Sequence, residues 1–198
     1  MKKYLITLTG AFLLFTHTLS AGDPSTQIYA KDIKIEDSEQ YGFVGIGGGY
    51  LSLTREYASE YIYNVDDDPD QSKGVIDFRV GVQNTVWRTM FTYESNFDSY
   101  QALLIEADRT IIAGLLEGRG RIYLGASGGW IEYYGERLML GETVDFEDYG
   151  YAYGGNLGFM LYLSDQVDLS LEYRYLFTSS SCTLKDIQGA TLALHYFF

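Results

Sequence analysis

Eight charged side chains recur at alternate positions of otherwise apolar segments, so they could share one face of a sheet and interact with one another. They are Asp77, Arg79, Arg88, Glu94, Glu106, Asp108, Glu172 and Arg174. Acidic and basic members are mixed, so together they could form ion pairs. If they face an enclosed interior, each must find a partner or water, because unpaired burial of charge is costly. The sequence therefore predicts an interior polar network, either a plug of ion pairs or a gate that opens a narrow ion path when pairs exchange.

A run of carboxylates is a second candidate for chemistry. Asp66, Asp67, Asp68 and Asp70 could offer oxygen ligands to Ca²⁺. Their spacing matches no EF-hand loop, and the glycine of such a loop is missing. We interpret the run as an acidic, solvated loop, and we predict no metal site and no bound cofactor.

Histidine and cysteine are too few to suggest catalysis. His17 lies in the N-terminal segment that we interpret as a signal peptide, so His195 is the single histidine of the mature chain. Cys182 is the only cysteine, which excludes an internal disulfide and a metal site built with other cysteines. We interpret Cys182 as incidental in a loop, and pairing between two molecules is the alternative.

The N-terminus has the three parts of a secretory signal. Lys2 and Lys3 give a positive start, residues 5–15 are apolar, and residues 18–21 are small enough for cleavage. We predict a signal peptide over 1–21 and a polar periplasmic leader over 22–40. An N-terminal membrane anchor is the alternative, but the apolar run is too short to span a bilayer.

Composition narrows the class of protein further. Removing Lys2 and Lys3 from the 14 basic residues leaves 12 against 27 acidic ones, a net charge of −15, which argues against nucleic acid or an anionic membrane surface as partner. Tyrosine is abundant, with 19 residues against two prolines, and it favours sheet and the membrane–water boundary. After residue 21 no apolar stretch is long enough for a spanning helix. In a membrane the chain must therefore form a closed barrel.

Strict alternation predicts strands with one apolar and one polar face. In the clearest segment Ile76, Phe78 and Val80 alternate with Asp77 and Arg79. Similar alternation predicts eight strands, over 41–53, 74–83, 87–94, about 103–112, 121–133, 150–163, 167–177 and 192–198.

The connections between these strands alternate between long and short. Long ones, over 54–73, 134–149 and 178–187, follow strands one, five and seven, which is typical of extracellular loops. Tyrosines in these loops could supply contact area for recognition. The candidates are Tyr57, Tyr61 and Tyr63, beside Asp66, Asp67, Asp68 and Asp70, together with Tyr134 and Tyr149.

The last strand carries an apolar stripe to the final residue, through Leu192, Leu194, Tyr196 and Phe198. It resembles the closing strand of bacterial outer-membrane barrels, in which Tyr196 and Phe198 would be the C-terminal assembly signal. With the glycine-lined first strand (Gly45, Gly47, Gly49) and the segment 169–175, the chain resembles the small eight-stranded outer-membrane barrels, the group of the OmpA membrane domain and OmpX. The resemblance covers residues 41–198.

This resemblance implies an all-β fold, an eight-stranded antiparallel transmembrane β-barrel with up-and-down meander order, in the outer membrane of a Gram-negative bacterium. The expected partners are outer-membrane lipid, lipopolysaccharide and the barrel-assembly machinery, and the expected state is a monomer. Enzymes of this architecture use a histidine near the outer rim or lipid face. His195 lies inward at the other end, so we predict no catalysis.

Two other folds and two other functions remain open from the sequence. A soluble up-and-down barrel such as a lipocalin, or a β-sandwich, would place the apolar face inside instead of outside. The predicted function is a structural or surface-interaction role. A narrow porin-like channel is one alternative, and an adhesin acting through the tyrosine-rich and acidic loops is the other.

Overall fold

Eight antiparallel strands form a closed barrel in the structure, a computed structural model that describes residues 40–55, 70–139, 142–179 and 184–198. The strands are β1 (Tyr41–Arg55), β2 (Asp70–Gln83), β3 (Trp87–Ser95), β4 (Tyr100–Leu115), β5 (Gly120–Met139), β6 (Glu142–Tyr162), β7 (Val167–Thr178) and β8 (Leu184–Phe197). Each strand pairs with its neighbours in sequence, and β8 closes the sheet on β1. This order confirms the predicted fold class. Among these residues, no helix is long and apolar enough to cross a membrane.

The register of the strands fixes the width and tilt of the barrel. Stepping from each residue to its direct partner on the next strand gives a path once around the wall. The path starts on β1 at Phe43 and returns to β1 at Leu53, so the shear is ten residues. It passes through Gly81, Met90, Glu106, Ser127, Gly154, Leu176 and Ile187. Eight strands with this shear tilt by about 40° from the barrel axis. Such a barrel is just wide enough for side chains to fill it.

Successive residues of each strand point alternately into the barrel and away from it. Ile76 and Phe78 are 42% and 48% exposed, whereas Asp77 and Arg79 are 0% and 2% exposed. The predicted faces are therefore confirmed, with the bulky apolar side chains outside. A soluble barrel would bury that face, so the rival folds are excluded and the outer surface is suited to lipid.

All six strands that border the predicted long loops extend into them, and β5 and β6 extend furthest. The segment 134–149 was predicted to be a loop, and this prediction is wrong, because β5 continues to Met139 and β6 starts at Glu142. Toward the hairpin, the last residue of β5 that pairs with β4 is Tyr133, opposite Tyr100. The last residue of β6 that pairs with β7 is Ala152, opposite Thr178. Past those pairs, β5 and β6 pair with each other and form a hairpin about 20 Å long.

The connection between β4 and β5 is a tight turn because β4 runs to Leu115. Two register shifts, between Thr110 and Ile112 and between Ile112 and Leu115, interrupt the alternation there. The turn occupies 116–119, and Leu116 and Glu117 have φ values of 50° and 61°. The bulges explain why the end of this strand was indistinct in the sequence, since an extra residue reverses the side-chain parity.

Apolar side chains fill both ends of the interior. The terminus-side layer lies where β1 begins and β8 ends, and it consists of Tyr41, Phe43, Met90, Tyr123, Met160, Tyr162 and Phe197. The loop-side layer lies at the opposite end and consists of Leu51, Leu53, Val75, Tyr100, Ala102, Leu104, Ile131, Tyr133, Ala152, Leu176, Leu184 and Ile187. The terminus-side layer also contains buried polar side chains, since Gln83 and Arg121 contact Tyr162 and His195 contacts Phe43, so the interior is most apolar at the loop side.

Candidate functional site: the charged interior

The structure brings all eight predicted charged residues together between the two apolar layers. They come from β2, β3, β4 and β7, and each is between 0% and 4% exposed. Strand alternation aims them inward, and the narrow diameter lets side chains from opposite walls meet.

Glu172 is the centre of this network. Its Oε1 lies 2.8 Å from Nη2 of Arg174, and its Oε2 lies 3.3 Å from Nη2 of Arg88 and 3.6 Å from Nη1 of Arg79. The Tyr123 hydroxyl donates a hydrogen bond of 3.0 Å to the same Oε2. One carboxylate therefore neutralises parts of three guanidinium groups on three different strands.

Each arginine has a further carboxylate partner. Arg79 Nε lies 2.7 Å from Asp77 Oδ1, and Arg88 Nη2 lies 2.7 Å from Asp108 Oδ2. Arg174 reaches Glu106 at 3.0 Å and Glu94 at 3.5 Å. Among the eight residues, three guanidinium groups thus link five carboxylates into one connected set.

Neutral polar side chains satisfy much of the remaining hydrogen-bonding capacity. Thr191 Oγ1 accepts from Arg79 Nη2 at 2.7 Å, and Asn156 Nδ2 donates to Asp108 Oδ1 at 2.7 Å. The hydroxyls of Thr92 and Ser127 donate to Glu106, and that of Tyr100 donates to Glu94. Such bonds make burial of the charges tolerable, since a buried network is stable only when its members are satisfied.

Glycine on the inner face of β1 makes room for this network. A Cβ at Gly47 would lie 2.6 Å from Asp77 Oδ1 and 2.8 Å from Ala193 Cβ, closer than such atoms approach in folded proteins. We therefore expect Gly47→Ala to lower the free energy of unfolding by about 1–3 kcal/mol through overpacking. The measurement is urea unfolding of the refolded protein in detergent, followed by tryptophan fluorescence.

Gly74 is the matched control for this substitution. It also lies in a strand, but a Cβ there would meet no atom within 4 Å. Gly74→Ala should change the unfolding free energy by no more than about 0.5 kcal/mol. Equal losses in the two variants would show that close packing against Asp77 is not the reason.

No protein-family model matches the chain, and no curated protein matches it. Among solved structures, the barrel superposes on Neisserial surface protein A with a TM-score of 0.58 and 14% identity, covering 79% of this chain and 97% of that one. It superposes on outer membrane protein H of P. aeruginosa with a TM-score of 0.51 and 24% identity, covering 80% of this chain and 99% of that one.

This chain has the fold of the small eight-stranded outer-membrane β-barrels. The similarity extends over nearly the whole length of both solved proteins, and strand number and meander order agree with it. The resemblance predicted from the sequence is thereby confirmed as a resemblance of fold. At these identities the comparison assigns no role to any side chain.

Several predicted sites of this barrel lie outside the described residues. These are the signal peptide, the leader up to residue 39, Cys182, and the loop candidates Tyr57, Tyr61, Tyr63, Asp66, Asp67 and Asp68. Asp70 begins β2. In the part of the chain that the structure describes, no group of three or more His, Cys, Asp or Glu residues is arranged to hold a metal ion.

A second buried polar pair was not among the predicted sites. His195 Nδ1 lies 2.7 Å from Asp168 Oδ1, with side chains 1% and 0% exposed, and the His195 ring packs edge-on against Phe43 at 5.0 Å. Alternation placed both residues on the inner face. Their pairing depends on the register between β7 and β8, in which the two lie directly opposite each other.

The aromatic side chains form belts at both ends of the exposed apolar surface. Tyr50, Tyr153 and Phe177 are exposed toward the loop side, and Trp87 and Tyr196 are exposed toward the terminus side. Aromatic rings prefer the two membrane–water boundaries. At the end of β8, the Phe198 amide donates to the Gly42 carbonyl at 2.9 Å, so the C-terminal residue is fixed to the first strand.

Proposed function

We propose that this protein resides in the outer membrane and acts as a closed, rigid scaffold that presents its extracellular end for contact, without conducting ions and without catalysis. The observation that carries the proposal is the layered interior. A cluster of buried apolar side chains lies toward each end of the barrel, with the ion-paired network between them, and the loop-side cluster is the larger of the two. Ions crossing the barrel would have to pass the loop-side layer, where twelve buried apolar side chains offer little in place of the hydration shell.

The hairpin of β5 and β6 supports a role in surface contact. It rises beyond the barrel wall on the side opposite the terminus-side layer, which is the extracellular side when the N-terminal end of β1 is periplasmic. A filled barrel gives such a projection a stiff base. The single histidine of the mature chain supports the absence of catalysis, because its side chain is buried inside the barrel against Asp168.

A narrow ion channel is the second candidate, and one observation favours it. Glu172 is shared by three arginines, so its ion pairs could exchange without any one guanidinium losing all its partners. If this exchange opened a path, replacing Glu172 by alanine or Arg79 by alanine would raise conductance. The loop-side layer favours the closed barrel instead, because neither substitution alters it.

Planar-bilayer recording on the refolded mature protein separates the two candidates. We expect no conducting events from the wild type, from Glu172→Ala or from Arg79→Ala. Regular single-channel steps in the wild type, or steps that appear in both variants, would favour the channel. Heat-modifiable gel mobility and a β circular dichroism spectrum confirm that each sample is folded, and fractionation of the expressing bacterium tests residence in the outer membrane.

A further inference from the structure

We propose that the outer surface of the β5–β6 hairpin, at its base, binds a sugar ring of the lipopolysaccharide core. The surface, here called the aromatic platform, consists of Trp130, Tyr134, Tyr149 and Tyr151 with Glu132. The proposal rests on outer-membrane residence, as proposed above, and it adds a ligand class and a binding surface to the scaffold.

The rings of the platform hold one another in place. Trp130 stacks on Tyr149 with ring centroids 5.4 Å apart and an angle of 18°, and it meets Tyr151 edge-on at 5.1 Å. Glu132 also holds two of these rings in place. Its carboxylate accepts a hydrogen bond from Trp130 Nε1 at 3.4 Å and one from the Tyr134 hydroxyl at 2.9 Å. Rings that are already ordered lose little entropy when a ligand binds.

The platform leaves ring faces available to a ligand. Tyr149 and Tyr151 are 58% and 64% exposed. Tyr149 is stacked on Trp130 through one face, so its exposed area includes the opposite face. Aromatic faces carry partial negative charge, and the axial C–H bonds of a pyranose ring carry partial positive charge, so the two stack favourably. The tyrosine hydroxyls and the Glu132 carboxylate could bond the sugar hydroxyls around the stacked ring.

The position of the platform indicates which sugar reaches it. Tyr134 and Tyr151 lie at the rim, one residue past the last strand pairs with β4 and β7, and their backbones still hydrogen-bond Ser99 and Ser179. Tyr149 lies two residues further along the hairpin than Tyr151. On the same outer face, the aromatic belt continues below them through Tyr153 and Phe177, whose rings are 6.0 Å apart. The platform is therefore continuous with the lipid-facing belt but stands above it, where the saccharide of the outer leaflet begins. A neutral core sugar suits this place better than an acyl chain.

The test measures binding of two separate parts of lipopolysaccharide to the refolded full-length mature protein in detergent. One probe is delipidated, dephosphorylated core oligosaccharide, and the other is lipid A alone, each titrated against tryptophan fluorescence and by calorimetry. The variant Tyr149→Ala/Tyr151→Ala should bind the oligosaccharide at least about tenfold more weakly than the wild type. Tyr149→Phe/Tyr151→Phe keeps the ring faces and should retain most of the affinity.

Tyr50→Ala is the matched control, because Tyr50 is 61% exposed in the loop-side belt but lies on β1, away from the platform. It should leave oligosaccharide binding within about twofold of the wild type. The proposal is overturned if the wild type does not bind the oligosaccharide, if Tyr50→Ala causes the same loss, or if the double variant weakens binding of lipid A instead. These outcomes are distinct from failure of the scaffold, which would appear as conductance or as absence from the outer-membrane fraction.

Discussion

Replacing Glu172 by glutamine should lower the free energy of unfolding by about 3–5 kcal/mol. Glutamine has nearly the same size as glutamate, so the substitution removes charge and leaves the packing. Three guanidinium groups, those of Arg79, Arg88 and Arg174, would each lose a carboxylate partner within 3.6 Å. Breaking a buried ion pair by neutralising one side leaves an uncompensated charge in a medium of low polarity.

Glu94→Gln is the matched control within the same network. Glu94 is as deeply buried, at 1% exposed, but its carboxylate meets one arginine, Arg174, at 3.5 Å, together with the Tyr100 hydroxyl at 3.1 Å. Its neutralisation should cost less than about 2 kcal/mol, since Arg174 keeps Glu106 and Glu172. Urea unfolding of both variants in the same detergent makes the comparison, and equal losses would contradict a central role for Glu172.

The sequence was sufficient to predict which face of each strand is buried. The reason is that alternation of two residues maps directly onto the two faces of a strand. In a closed membrane barrel, Phe78 must face outward and its neighbours Asp77 and Arg79 must face inward. The structure agrees, since Phe78 is exposed and Asp77 and Arg79 are buried. The same rule placed His195 inside.

Contacts across the barrel could not be predicted in this way. Glu172 and Arg79 meet because the shear of the closed sheet brings β7 and β2, which are three strands apart through β8 and β1, to the same height. A single strand contains no information about that shear, which is a property of the closed sheet. The types of residue in the network were therefore predictable, whereas its pairs and its centre were not.

The hairpin of β5 and β6 was missed for a different physical reason. Where a barrel strand crosses the membrane, one face meets lipid and the other meets the interior, so hydrophobicity alternates. Past Tyr133 and Ala152 the hairpin leaves the wall, and its hydrophobic alternation ends while backbone pairing continues to Met139 and Glu142. Pairing without an apolar face leaves only a weak signal in the sequence.

The apolar ends of the interior were also beyond the sequence argument, although their residues were visible. Leu104 has the same parity as Glu106 and Asp108, and it is fully buried in the loop-side layer. A single inward-facing apolar residue does not reveal whether the neighbouring strands place further apolar residues at the same height in the barrel. The twelve members of that layer come from all eight strands except β3, and only the register assembles them. The loop-side layer on which the proposed function rests is therefore a finding of the structure.

Replacing Ile105 by lysine should be the most damaging change on the outer surface. Ile105 is 52% exposed in the middle of β4, where it pairs with Phe91 on β3 and Gly128 on β5. If lipid surrounds the barrel, a charge at this depth must leave water or distort the bilayer. Ile105→Lys should then lower the free energy of unfolding in lipid vesicles by about 2–4 kcal/mol. Equilibrium denaturation of the vesicle-inserted protein, followed by tryptophan fluorescence, measures the loss.

Ile111→Lys is the control that separates the effect of depth in the membrane from the effect of losing an exposed apolar side chain. Ile111 lies on the same strand and is also 52% exposed, but it is four residues from the end of β4, close to the turn at 116–119. A lysine there can reach the membrane–water interface, so the loss should fall to about 0–1 kcal/mol. Near-zero loss at both positions would place this surface in water and remove the basis for outer-membrane residence, whereas a loss confined to Ile105 fits a barrel whose apolar outer face lies in lipid.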